Sequence, residues 1–121
     1  MPKIFFPASD PIFLDEEKIV SELRELSHKI SEKFGNIKRI YLFGSYAEGN
    51  AGLRSDADIL IVVSHDERPM MDRLDEFILK FADASLPVDV LVYTEKELAK
   101  AISKKNRFIT NILESGLILF P

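Results

Sequence analysis

The sequence has no cysteine. Neither a disulfide frame nor a thiolate metal site is open to it. It also lacks any apolar run of about 18 residues or more, so no segment is expected to span a membrane. The N-terminus carries one lysine, a short apolar patch and prolines, which is not the layout of a signal peptide. A cytoplasmic location is the expectation. An excess of basic charge is missing too. The formal charge is −4, spread evenly between the halves. That balance excludes a protein devoted to non-specific nucleic-acid binding, leaves a nucleic-acid partner disfavoured, and leaves a nucleotide substrate open. One local cluster stands out: Lys96, Lys100, Lys104, Lys105 and Arg107. It reads as a solvated helix face, or as a docking surface for an acidic partner or an RNA.

The 121 residues fit a single domain, residues 1–121, and 46% of them are hydrophobic. Pro2, Pro7 and Pro11 forbid a continuous helix at the start, so residues 1–14 are expected to be irregular, with their apolar side chains on a surface. Ile19, Leu23, Leu26, Ile30 and Phe34 then recur at helical steps, and Gly35 and Asn36 stop the helix. Ile37 to Phe43 reads as a strand, Gly44 to Gly52 as a glycine-rich turn, and Ala57 to Val63 as a strand buried on both faces. Pro69 opens a second helix with a stripe of Met71, Leu74, Phe77, Ile78 and Phe81. Met70 and Met71 read as core filling. Pro87 to Tyr93 is a third strand. Thr94 and Glu97 form a capping box for a helix running to about Lys105. A further helix over Phe108 to Glu114 and an apolar tail, Leu117 to Phe120, follow. The expected fold is α+β, α/β-like: a small mixed sheet of three core strands with a C-terminal edge strand, packed with helices.

The chemistry concentrates between Gly44 and Asp89. Asp56 and Asp58 are separated by one residue at the mouth of a strand, so their side chains share a face. Two carboxylates there repel, and a divalent cation removes the repulsion; oxygen ligands suit Mg²⁺ or Mn²⁺. Ordinary turn chemistry is the competing reading. Asp89 lies within an apolar strand. A carboxylate buried there costs several kcal/mol or turns neutral, so something is expected to compensate it. A short link makes the first two strands antiparallel, and a helical crossover makes the second and third parallel. Gly44-Ser45, Asp56, Asp58 and Asp89 then meet at one sheet edge. Two ions about 3.5–4 Å apart can clamp the attacking and leaving oxygens of an in-line phosphoryl displacement. Asp56, Asp58 and Asp89 are the candidate metal ligands and catalytic residues, with Asp89 also placed to accept the acceptor's proton. Gly44 lets backbone approach a triphosphate, and Ser45 offers it a hydroxyl and an N–H. Ser55 is grouped with them at the nucleotide, although orienting the turn accounts for it as well. Arg54 reads either as a phosphate contact or as a solvated side chain.

Gly44-Ser45, then Asp56-Ala57-Asp58 about a dozen residues on, then Asp89 on a neighbouring strand resemble the signature of the DNA polymerase β-type nucleotidyltransferases. At this length the resemblance is to the minimal nucleotidyltransferases, by motif over Ile37 to Tyr93. It implies Mg²⁺ and transfer of a nucleoside monophosphate from ATP or another NTP, with pyrophosphate leaving. It also implies pairing with a HEPN-domain protein, toward which such chains act as antitoxins and some attach AMP. Glu48 stands where many relatives carry a basic residue that helps hold phosphate.

The first functional reading is therefore a Mg²⁺-dependent nucleotidyltransferase acting on a hydroxyl, with a HEPN-type toxin as the expected acceptor. The second is a non-catalytic antitoxin that neutralises its partner by occupancy. A third, nucleotidylation of a small molecule such as an aminoglycoside, needs a dimer or a further domain to form an acceptor pocket. His28 and His65 are assigned no role.

Overall fold

The strand Ala57–Val63 is apolar everywhere but at Asp58, and all of it except Asp58 is buried. Such a strand needs cover on both faces, and the computed structural model supplies it; it describes residues 16–44, 47 and 56–121. The expectations for residues 1–14 and for Ser45, Glu48, Arg54 and Ser55 lie outside the described residues.

Helix α1 (Glu16–Lys33) leads into β1 (Ile37–Phe43). β1 pairs antiparallel with β2 (Ala57–Val63), Tyr41 opposite Leu60 and Phe43 opposite Asp58. Helix α2 (Met70–Lys80) crosses to β3 (Val88–Thr94), which runs parallel to β2 with Asp89 beside Asp58. Helices α3 (Glu95–Ser103) and α4 (Arg107–Ser115) follow. The tail forms β4 (Leu117–Phe120), antiparallel on the far side of β1. The sheet order is β3-β2-β1-β4. The expected mixed sheet, both strand directions and the edge strand are all present.

Strand alternation divides the core in two. Ile40, Leu42, Ile59, Ile61, Val90 and Val92 pack with Ile19, Leu23 and Ile30 of α1 and Phe77 of α2. Tyr41, Leu60 and Val62 pack on the other face with Ile109 and Ile112 of α4. By the same alternation Asp58 and Asp89 belong to this second face.

Two expectations for α2 fail. Met71 is not core filling: it is 71% exposed, and Ile78 is 45% exposed. The inner face instead carries Arg73 and Phe77, with Leu74 partly buried and Phe81 just past the helix end. Met71 and Arg73 lie about 200° apart around a helix, so burying one turns the other to solvent. Arg73 tolerates the interior because its whole fork is bonded. Its Nη1 and Nη2 donate to Glu97 at 2.6 and 3.1 Å, its Nε donates to the Arg68 carbonyl, and further bonds go to the Asp66 and Val92 carbonyls. Glu97 also accepts from the Thr94 N–H, while its own N–H donates to Thr94 Oγ1. The capping box read from the sequence thus also anchors α2.

Candidate active site

Phe43, Asp58 and Asp89 form one row across β1, β2 and β3. Parallel neighbours lie about 4.8 Å apart, so the two carboxylates flank each other. Asp56 precedes β2 by one residue and is exposed. Gly44 ends β1 with φ 78°, a left-handed conformation that favours glycine. A Cβ built on Gly44 would collide with Asp58 Oδ2. Gly44 and the Asp58 carboxylate are therefore in direct apposition.

Asp89 departs from expectation in one respect. It is exposed, because β3 is an edge strand and Asp89 lies near its start. No burial penalty demands a partner for it. Asp58 is the half-buried member. Burial pushes its carboxyl above the ordinary range, and repulsion from Asp89 and then from Asp56 pushes it the same way. Among the described residues no lysine or arginine pairs with any of the three.

This donor set, all carboxylate and without a cationic partner, fits a hard divalent ion. Among the described residues no three such side chains are drawn together closely enough to hold an ion outright. Of the sequence candidates, the structure brings together Gly44, Asp58 and Asp89, with Asp56 next to them. His65 sits at the opposite end of β2 and is exposed. His28 is exposed too, but its ring packs edge-on against Phe120 at 5.1 Å.

Sequence reasoning did not bring in α4. A cleft of about 340 Å³ opens beside Asp58, walled by Phe43 and Gly44 on one side and by Phe108, Asn111, Ile112 and Ser115 on the other. The ring of Phe108 stands on that of Phe43 at 5.6 Å and 86°. Phe108 and Asn111 lie one helical turn apart, a visible spacing. Nothing local says that this turn lies over the end of β1.

The architecture is that of the nucleotidyltransferase fold. A crystal structure of a “putative nucleotidyltransferase” from Sulfolobus solfataricus superposes with a TM-score of 0.62 at 21% identity, over 93% of this chain and 89% of that one. Residues 23–119 match the family described as “Nucleotidyltransferase domain”, and the chain belongs to that family. Members typically use divalent metal ions. “Putative protein adenylyltransferase MJ0604” of Methanocaldococcus jannaschii is 34% identical over 88% of this chain and 100% of its own length. A second protein of that organism with the same description, MJ1379, is 30% identical over 74% of this chain and 91% of its own. A chain from a crystal structure of a toxin-antitoxin with AMP-PNP aligns at a TM-score of 0.47 and 23% identity, over 88% of this chain and 73% of that one; that likeness is too low to bear on fold or partner. Among the described residues no helix is long and apolar enough to cross a membrane.

Proposed function

We propose that this nucleotidyltransferase moves AMP from ATP to a hydroxyl on a protein, a HEPN-type toxin for which it serves as antitoxin. The observation that carries the enzymatic reading is the register of Asp58 beside Asp89, with Gly44 set against Asp58. The sequence relatives, each described as a “putative protein adenylyltransferase”, support AMP and a protein acceptor. The HEPN-type partner rests on the motif resemblance.

Asp56, Asp58 and Asp89 would hold two Mg²⁺ ions, or Mn²⁺ in their place. Such ions neutralise charge on the transferring phosphate and align attacking and leaving oxygens. Gly44 and Ser45 receive the triphosphate, Ser45 through its hydroxyl and N–H, and Ser55 is grouped with them at the nucleotide. Asp89 takes the acceptor's proton as its oxygen bonds to the α-phosphorus. The bond from that phosphorus to the β-phosphate oxygen breaks, and pyrophosphate leaves. Asp89 lies exposed on an edge strand, which suits an acceptor delivered by another molecule.

The test is transfer from labelled ATP to the co-purified partner. Asp89→Asn is expected to lower the rate by about 10²–10⁴-fold, the range for a lost general base. Unchanged transfer removes Asp89 from the mechanism. If Asp58→Ala transfers nothing yet still suppresses the partner's toxicity in full, occupancy alone is the function.

A further inference from the structure

We propose that the cleft between the end of β1 and α4 is the base site of the donor nucleotide, with Phe108 as its stacking platform and Asn111 as the residue that reads adenine. The inference rests on the reading of Gly44 and Asp58 as the donor end of the site.

The row Phe43–Asp58–Asp89 has a direction. Asp89 lies at the open edge, where the acceptor's hydroxyl must arrive. Gly44 lies on the opposite side of Asp58, and the 340 Å³ cleft that both residues line reaches from Asp58 to Phe108 and Asn111 of α4. A nucleotide with its phosphates at the Gly44 turn and its α-phosphorus at Asp58 has this cleft in which to place its nucleoside. The wall is suited to a flat heterocycle. Phe108 keeps half of its surface exposed, while its ring is braced against Phe43. An aromatic held in place and still accessible is a stacking surface.

Asn111 supplies the polar group. Its main-chain carbonyl accepts from Ser115 Oγ at 2.8 Å. Among the described residues its side-chain amide makes no hydrogen bond. That amide offers one acceptor and one donor side by side. Adenine presents the complementary pair at N6 and N7, whereas guanine presents two acceptors there. One asparagine can therefore satisfy adenine fully and guanine by half.

Calorimetric titration of the full chain in Mg²⁺ with ATP, GTP and inorganic tripolyphosphate tests this. Phe108→Ala is expected to weaken ATP binding about tenfold, within the range for loss of one stacked base, and to leave tripolyphosphate binding unchanged. Phe108→Tyr keeps the ring and is expected to keep the affinity. Asn111→Ala is expected to erase a preference for ATP over GTP of about tenfold. If the wild-type chain binds ATP and Phe108→Ala binds it equally well, the cleft is not the base site, while the donor reading survives. If Asn111→Ala leaves the ATP preference intact, Asn111 does not read the base. If the wild-type chain binds neither ATP nor tripolyphosphate, the donor reading falls and this inference falls with it.

Discussion

Gly44 and Asp58 are bound to each other by the lack of one carbon atom. A methyl group at position 44 meets Asp58 Oδ2, in a backbone conformation that L side chains rarely adopt. Gly44→Ala should cost about 1–3 kcal/mol in urea denaturation, the range for a strained left-handed residue, and should displace the carboxylate and depress transfer. Asp58 presents the opposite case. Its raised pKa means that the ionised form is disfavoured in the fold, first by burial and then by Asp89 and Asp56. The sign follows: the cost is present above the folded pKa and relieved as pH falls below it. Asp58→Asn should therefore raise the melting temperature in metal-free buffer while abolishing transfer. A variant that melts lower than the wild type in EDTA would contradict the electrostatic account. Both residues were visible in the sequence as site candidates, because glycine-serine and Asp-x-Asp are local patterns. The exposure of Asp89 was not, since an apolar run cannot say whether its strand is central or at an edge.

Among the elements, α2 is tied to α3 from its buried face by one arginine. Arg73 is 4% exposed and binds Glu97 at the start of α3 together with three main-chain carbonyls. Removing it leaves those carbonyls unpaired and a void behind them. Arg73→Ala should cost about 2–4 kcal/mol, measured by urea unfolding. The same corner predicts an acid limit. The Arg68 side chain, more than any other group, draws Asp66 from the ordinary 3.8 down to about 2, and Arg73 holds Glu97 below its usual range. Both folded pKa values are depressed. Their stabilisation is present above the ordinary carboxylate range and is lost as pH falls through the folded values. Stability should drop between about pH 4 and pH 2, and Arg68→Ala should flatten that drop in unfolding titrations. Apolar periodicity could not find this network. It counted Met71 into the stripe and passed over Arg73, because a charged residue joins a core only when a distant segment brings its partner.

For the molecule as a whole, the core owes nothing to a metal: two apolar layers enclose β2 independently of the carboxylate edge. EDTA should leave the far-ultraviolet circular dichroism unchanged. Mg²⁺ with a non-hydrolysable ATP analogue should raise the melting temperature, by about 2.7 kcal/mol in stability at a hundredfold excess over the dissociation constant. Asp58→Ala should show no such shift, and an equal shift in that variant would place the nucleotide elsewhere. What the sequence determined by itself was the order of elements, the strand directions and the sheet edge at which the acidic residues gather. Each of these follows from neighbours along the chain: side-chain alternation, link length and turn chemistry. What only the tertiary structure decided was that β3 lies at an edge, which face of α2 turns inward, and that α4 roofs a cleft beside Asp58. Those outcomes depend on contacts between residues far apart in sequence, such as Arg73 with Glu97 and Phe43 with Phe108, and no local pattern carries the energy of a contact not yet made.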